Sequence, residues 1–178
     1  MKLAAALTAF DLDVTGLVCA DFGSHVGGFV DCLLQRGAAR VYSVDTSYGT
    51  LAWTLRKDPR VVVLERTNAL HVELPEPVDL VTVDVGWTPQ HRILPVALSV
   101  VAPNGVIVSL IKPHYEADPS RLRGGVLPDD ECDGVLRQVE QHLSEANIRW
   151  SAMIESPIRG RGGNREFLAL VRPVAPSQ

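Results

Sequence analysis

Short apolar runs alternate along the chain with segments whose apolar residues recur at helical spacing. The predicted strands are the apolar runs at residues 17–22, 40–45, 61–64, 78–84 and 106–111. Helical periodicity marks residues 2–10, 29–36, 49–57 and 90–101 between them. Apolar runs with few charges are typical of strands covered on both faces, and their alternation with helices predicts a parallel, right-handed, doubly wound α/β fold.

The C-terminal part of the chain breaks this order. Acidic residues at 129–131 open a predicted helix that ends near Asn147. Apolar and polar side chains then alternate over residues 148–154, which is typical of a half-exposed strand. A glycine-rich turn at 159–164 leads into a last apolar run at 167–171. This closing hairpin predicts one antiparallel strand in an otherwise parallel sheet.

Size and composition fit one globular domain. The chain has 178 residues, of which 46% are hydrophobic and 21% charged. We predict one domain over residues 1–173 and a loose tail at 174–178. The apolar runs are too short to cross a bilayer, and acidic residues interrupt the apolar N-terminal stretch before it resembles a secretory leader. Three cysteines without a CxxC pair and five histidines without ligand spacing predict a cytoplasmic protein with no metal site.

The formal charge of −4 argues mildly against a nucleic-acid partner, but the basic residues are clustered. One predicted loop holds Lys112, His114, Arg121 and Arg123, and a second holds Arg159, Arg161 and Arg165. If the fold brings the two loops together, they form a basic rim suited to RNA. The alternative is that both are ordinary solvated loops.

A glycine-rich loop follows the first predicted strand. Its sequence is Asp21-Phe22-Gly23-Ser24-His25-Val26-Gly27-Gly28. The spacing differs from the Gly-x-Gly-x-x-Gly pattern of dinucleotide sites. An acidic residue close before the first glycine, followed by this wider gap, is instead typical of S-adenosylmethionine (SAM) sites. An ordinary tight turn is the alternative.

Polar residues end the other predicted strands. Asp45 lies 24 residues after Asp21, where an acid can bind the two hydroxyls of a ribose, although aspartate is also common in turns and helix caps. Asn68 and Ala69 follow the third strand, where an adenine could be contacted. Asp84 and Lys112 end the fourth and fifth strands. Because ligands of such sheets bind beyond the strand C-termini, these residues predict one site.

Several ordered motifs resemble the hemolysin A-like (TlyA) family, within the FtsJ-like ribosomal RNA 2′-O-methyltransferases. They are Lys2-Leu3, Leu12-Asp13-Val14, Gly27-Gly28-Phe29, residues 31–38, Leu51-Ala52-Trp53, Glu65-Arg66-Thr67-Asn68, Asp79-Leu80-Val81-Thr82, Lys112-Pro113 and Ser156-Pro157-Ile158. The resemblance implies a Rossmann-like class I SAM-dependent methyltransferase fold, with a mostly parallel seven-stranded sheet, one antiparallel strand and helices on both faces. The expected cofactor-binding residues are Asp21, Gly23, Ser24, Gly27, Gly28, Phe29, Asp45, Asn68, Ala69 and Asp84.

The resemblance also implies a Lys-Asp-Lys-Glu active site at Lys2, Asp84, Lys112 and Glu166. A ribose 2′-hydroxyl is a poor nucleophile that must be aimed at the sulfonium methyl and must lose a proton. A lysine can accept or relay that proton, and the acids can hold the lysines in place. The structural alternatives are a frayed terminal lysine, a capping Asp84 and a solvated Glu166.

The chain also departs from the family pattern. Relatives usually carry an N-terminal S4-type RNA-binding domain, which we expect to be absent here. A homodimer or a separate RNA-binding partner would then help to recognise the RNA. His25 and Val26 stand where small polar residues are expected, and Gly86-Trp87-Thr88 stands where the family tends to have a Ser-Phe pair. Trp87 could stack on a target base or serve as a core or lid residue.

The sequence favours a SAM-dependent RNA methyltransferase that methylates ribose 2′-hydroxyls of ribosomal RNA. The first alternative is a catalytically degenerate SAM- or RNA-binding module of the same fold. The second is a nucleotide-dependent oxidoreductase, which the glycine spacing disfavours. A pore-forming hemolysin, suggested only by the family name, lacks the membrane segment that it would need.

Overall fold

The computed structural model describes residues 1–173, and the predicted tail at 174–178 lies outside the described residues. Seven strands form one sheet in the order β3-β2-β1-β4-β5-β7-β6. The strands are β1 (Val18–Phe22), β2 (Arg40–Val44), β3 (Val61–Leu64), β4 (Val78–Val83), β5 (Val101–Ile111), β6 (Trp150–Glu155) and β7 (Phe167–Val171). β7 pairs antiparallel with both β5 and β6, whereas the other pairs are parallel, which confirms the predicted sheet.

Six helices connect or flank the strands. They are α1 (Lys2–Ala9), α2 (Gly28–Gln35), α3 (Trp53–Arg56), α4 (Gln90–Val100), α5 (Pro113–Glu116) and α6 (Cys132–Glu145). Short 3-10 turns lie at Ala69–His71, Pro119–Arg121, Asp129–Glu131 and Arg161–Gly163. Within residues 1–173, no helix combines the length and apolar character needed to cross a membrane.

Successive residues of a strand point to opposite faces of the sheet, and helices cover both faces. Phe22 of β1 belongs to a core cluster that includes apolar residues of α4 and α6. Cys19 of the same strand belongs to a second cluster that includes residues of α1 and α2. The confirmed α/β architecture therefore follows directly from strands that are apolar on both faces.

Two predicted elements have different bounds. The helix expected at 49–57 shortens to α3, because Gly49 takes a left-handed conformation (φ +71°) and donates its N–H to Glu65 Oε1 (2.7 Å). Strand five begins at Val101 instead of Val106, with a shift of register against β4. Gly105 permits that shift, since a β-carbon there would lie 2.7 Å from the Asp79 carbonyl oxygen.

Candidate functional site

A cleft of about 420 Å³ opens at the C-terminal ends of β1, β2, β3, β4 and β5. Its lining includes Gly23, Asp45, Asn68, Ala69, Asp84 and Lys112. A neighbouring pocket of about 250 Å³ shares Gly23 and Asp84 with it and adds Lys2, Asp21, Ser24, Gly28 and Phe29. The fold thus gathers most of the predicted site residues at one edge of the sheet.

Two glycines of the loop after β1 are required by its shape. Gly23 has a φ of +88°, and a β-carbon there would lie 2.5 Å from the carbonyl oxygen of Asp84. Gly27 has a φ of +99°, and a β-carbon would run into the side chains of Leu55 and Leu51. Any other residue would therefore push the loop away from the cleft or from α3. Gly28 begins α2 and has open space around it.

Asp21 is buried beneath this loop. Its Oδ1 accepts a hydrogen bond from the Thr82 hydroxyl (2.7 Å), whereas its Oδ2 has no partner among residues 1–173. The Ser24 hydroxyl donates to the main-chain oxygen of Asp21 (2.9 Å). Burial raises the pKa of Asp21 to about 7. An unpaired buried carboxylate oxygen beside a pocket fits a ligand that brings a hydrogen-bond donor or a positive charge.

Asp45 connects the end of β2 to the glycine loop. One carboxylate oxygen accepts from the main-chain N–H of His25 (2.8 Å), and the other accepts from the main-chain N–H (2.8 Å) and hydroxyl (2.6 Å) of Ser47. Partial burial acts to raise the pKa of Asp45, but these hydrogen bonds outweigh it and lower the pKa. Asp45 therefore stays charged. It holds the glycine-rich loop in place, as a structural turn residue would, and it also lines the cleft.

The adenine-side candidates, Asn68 and Ala69, follow β3. Asn68 caps the 3-10 turn through its side-chain oxygen, which accepts from the Leu70 N–H (3.0 Å), and Ala69 is buried against the core. Phe29 is also a core residue at 7% exposure, although part of it reaches the smaller pocket. These side chains shape the walls of the site more than they offer polar groups to it.

Lys112 pairs with Asp84 across the ends of β5 and β4. The Lys112 ammonium lies 2.6 Å from Asp84 Oδ1 and donates to the main-chain oxygen of Val85 (3.2 Å). Both side chains are largely buried, at 14% and 30% exposure. Burial raises the pKa of Asp84 even though the charge and hydrogen bond of Lys112 act against it. Lys112 and Asp84 therefore form a largely buried ion pair at the edge of the cleft.

A second pair, Lys2 with Glu166, lies beside the first. The Lys2 ammonium is 2.5 Å from Glu166 Oε2, and the Glu166 side chain is only 4% exposed. Glu166 packs against the backbone of Gly160, where a β-carbon would collide with the carboxylate. Lys2 and Glu166 also act on the pKa of Asp84, so the two pairs form one electrostatic cluster. The four residues come from α1, the ends of β4 and β5, and the segment before β7.

Tyr115 and His114 also belong to this neighbourhood, although the sequence indicated His114 only as part of a basic loop and did not single out Tyr115. The Tyr115 ring lies 4.5 Å from the ring of Trp87, whose side chain is 79% exposed and whose φ is +61°. Burial, together with the charges of Lys112 and Lys2, lowers the pKa of His114 to about 4, so that His114 is neutral. For Tyr115 the only sequence signal was its position in the α5 turn directly after Lys112.

The predicted basic rim is partly neutralised by acidic residues. The two arginine loops do meet, because the buried Asn164 accepts from the Leu127 N–H (2.9 Å) and donates to the Gly125 carbonyl (3.1 Å). However, three of the arginines pair with acids at this junction. The pairs are Arg159 with Asp129 (2.7 Å), Arg165 with Glu155 (2.8 Å) and Arg121 with Glu131 (2.7 Å). The two loops therefore meet as predicted, but acids of the 3-10 turn Asp129–Glu131 and of β6 neutralise three of the arginines and reduce the positive charge of the rim.

Comparison with known proteins shows the family to which the chain belongs. The family model described as FtsJ-like methyltransferase matches residues 1–172. The 16S/23S rRNA (cytidine-2′-O)-methyltransferase TlyA of Mycobacterium tuberculosis is 39% identical over 177 residues, which cover 96% of this chain and 66% of TlyA. The chain spans a little less than two thirds of the length of the curated relatives that it matches first.

Solved structures agree on the architecture. A provisionally named hemolysin from Lactococcus lactis has a TM-score of 0.89 and 33% identity, and the match covers 96% of this chain and 84% of that one. A SAM-dependent methyltransferase from Mesorhizobium loti has a TM-score of 0.69 at 17% identity, over 97% and 98% of the two chains, which shows a shared fold.

Proposed function

Because the chain belongs to the FtsJ-like methyltransferase family, we propose that it methylates ribose 2′-hydroxyls of RNA with SAM as methyl donor. The observation that carries the proposal is the cluster of Lys112–Asp84 and Lys2–Glu166 at the edge of the cleft. A lysine-rich, largely buried cluster of this kind suits an acceptor that must be oriented and deprotonated. TlyA, the relative described above, is named for this reaction on ribosomal RNA, which is the substrate that we propose.

The residues at the cleft fit SAM. The unpaired Oδ2 of Asp21 suits the cofactor's ammonium group, and the close approach of Gly23 leaves room for its body. Asp45 is charged and lines the larger cleft, where it can accept hydrogen bonds from ribose hydroxyls. When bound, SAM supplies a methyl group already activated by its sulfonium charge.

The protein's part of the reaction is then orientation and proton handling. The carbonyl of Val85 and the carboxylate of Asp84 together fix the position of the Lys112 ammonium nitrogen. From there Lys112 can hold the acceptor hydroxyl, and once its ammonium has lost a proton to solvent, the neutral amine can take up the hydroxyl proton as the oxygen is methylated. Lys2 and Glu166 complete the cluster. The charge of Lys2 lowers the pKa of Asp84, whereas the charge of Glu166 raises it.

The exposed ring of Trp87, held against Tyr115, is the surface that we propose for the base of the target nucleotide. Thr88 and Tyr115 line the cleft, so this surface is continuous with it. Aromatic stacking is the usual way in which proteins hold a splayed-out RNA base. A purely structural lid remains the alternative for Trp87, and Trp87→Ala separates the two by its effect on the KM for RNA.

Methyl transfer from labelled SAM to ribosomal subunits and to naked ribosomal RNA tests the proposal. Transfer to either substrate supports it, and comparison of the two shows which one the enzyme uses. A protein that binds SAM by calorimetry but labels neither substrate would instead be the degenerate binding module. Adding a cytoplasmic extract to an inactive reaction tests whether a separate RNA-binding partner is needed, and light scattering tests a homodimer.

A further inference from the structure

Four side chains outside the cleft form an exposed aromatic and basic surface, which we call the β2–α3 patch: Tyr48, Trp53, Lys57 and Arg66. Tyr48 is 70% exposed and Trp53 is 66% exposed, although rings of this size are usually buried. Both rings line one groove of about 510 Å³ at the start of α3. Two large exposed rings in one groove are typical of a binding surface.

A cationic side chain lies over each of the two rings. The Arg66 guanidinium lies 4.4 Å from the centre of the Tyr48 ring, and the Lys57 ammonium lies 4.7 Å from the centre of the Trp53 ring. Neither cation forms an ion pair with an acid among residues 1–173, whereas Arg56 and Arg60 beside them are both paired. The patch therefore keeps positive charge at its ring faces on a protein whose formal charge is −4.

The loop beneath the patch is held in shape. Glu65 pairs with Arg56 and also accepts from the Gly49 N–H (2.7 Å). Arg66 adopts a left-handed conformation (φ +53°), which is unfavourable for a non-glycine residue, and its N–H donates to the Ser47 carbonyl (3.1 Å). The surrounding contacts thus keep Arg66 over the Tyr48 ring before any partner arrives.

The patch adjoins the candidate active site along the chain. Thr46 and Thr67 line the larger cleft, and each lies within two residues of Tyr48 or Arg66. A strand of RNA whose target nucleotide enters the cleft can consequently extend its neighbouring nucleotides over this surface. Rings that stack on bases, with cations beside them for phosphates, are the usual composition of a single-strand binding surface.

From these observations we infer that the β2–α3 patch binds a single-stranded RNA segment next to the target nucleotide. Tyr48 and Trp53 stack on bases, and Lys57 and Arg66 contact phosphates. The inference rests on the proposed function, because it names a further part of the same RNA-binding surface. Stacking on aromatic faces tolerates any base, so the patch contributes affinity and not sequence selection.

The test measures binding of a fluorescein-labelled single-stranded RNA of about 12 nucleotides by fluorescence anisotropy, without SAM. Trp53→Ala and Tyr48→Ala should each weaken binding about 10-fold, and Trp53→Phe and Tyr48→Phe should retain most of it. Substituting Arg66 with glutamine should lower the salt slope of binding by about 0.7, the value for one phosphate on a single strand. Met153→Ala, which alters an exposed residue of β6 at the other edge of the sheet, is the matched control.

Unchanged RNA affinity in Trp53→Ala and Tyr48→Ala would overturn the inference. So would equal competition by a polyglutamate, which carries the charge of RNA without its bases. Methyl transfer is measured in parallel, so that RNA binding by the β2–α3 patch and the proposed methyltransferase activity can be refuted independently. Transfer that persists at full kcat/KM in both alanine variants refutes the patch alone, whereas patch-dependent RNA binding without any transfer refutes the methyltransferase activity alone.

Discussion

Replacing Lys112 with methionine removes the ammonium group that links Asp84 to the Val85 carbonyl, while it keeps a side chain of similar length. The loss leaves Asp84 without the cation 2.6 Å away, in a site where its side chain is only 30% exposed. Removing one partner of a largely buried polar pair typically costs about 1–3 kcal/mol. For a chain of this size we expect Tm to fall by about 2–4 °C per kcal/mol, so that the variant stays folded at assay temperature.

The effect on catalysis should be much larger than the effect on stability. Removal of a general base or proton relay typically slows the chemical step about 10²–10⁴-fold. No contact of Gly23, Asp21 or Asp45 depends on Lys112. We therefore expect the Lys112→Met variant to bind SAM with nearly the affinity of the wild type. Wild-type single-turnover rates should rise with pH if a general base must first lose its proton, and the variant should lose that dependence.

The assay is single-turnover methyl transfer to ribosomal RNA at saturating SAM, with calorimetry for SAM binding and thermal unfolding for stability. Arg40→Met is the matched control, because Arg40 forms an exposed ion pair with Glu76 at the start of β2, away from the cleft. A second variant, Lys112→Met with Asp84→Asn, removes the stranded carboxylate charge. Near-wild-type transfer by Lys112→Met on an RNA that the wild type methylates would refute the role assigned to Lys112.

Three further substitutions test other parts of the account. Asp45→Ala should weaken SAM binding by about 1.5–3 kcal/mol for each charged hydrogen bond lost, and unchanged affinity in calorimetry would count against the ribose assignment. Asp21 keeps its proton up to about pH 7 when folded but loses it near pH 4 when unfolded, so stability should fall as pH rises between these values. In Asp21→Asn, denaturant titrations across that range should show a flatter pH dependence. Arg159→Ala breaks an exposed ion pair with Asp129 and should change the free energy of unfolding by less than about 1 kcal/mol, which a larger change in Cm would contradict.

Much of the site could be predicted because it is built from strand ends. The apolar runs indicated the parallel strands, and parallel strands place their C-terminal residues at one edge of the sheet. The neighbourhood of Asp84 and Lys112 follows from this, since β4 and β5 pair directly. Asp45 was expected at the cleft for the same reason, although its hydrogen bonds to His25 and Ser47 could not be read from spacing.

Contacts between distant segments were harder to predict. Lys2 and Glu166 are 164 residues apart, and only the family resemblance suggested that they belong to one site. The charges of Arg121, Arg159 and Arg165 were visible in the sequence, but their acidic partners come from other elements whose packing the sequence pattern does not specify.

The loop after β2 shows a third limit of sequence reasoning. Helical periodicity over residues 49–57 competes with the left-handed turn at Gly49 and with its hydrogen bond to Glu65. The turn prevails, and the chain presents Tyr48 and Trp53 to solvent. Leu51 and Leu55 of the predicted helix still pack into the core, whereas Trp53 becomes part of the β2–α3 patch.

The most direct test of the central claim is the chemical position of the transferred methyl group. Ribosomal RNA labelled from SAM by this protein is hydrolysed with alkali, which cleaves RNA through its free 2′-hydroxyls. A methylated 2′-oxygen cannot take part in that cleavage, so the account predicts that the label appears in alkali-resistant dinucleotides and that Lys112→Met abolishes it. Label recovered in mononucleotides would indicate base methylation and would contradict the account, as would SAM binding without any transfer to ribosomal RNA.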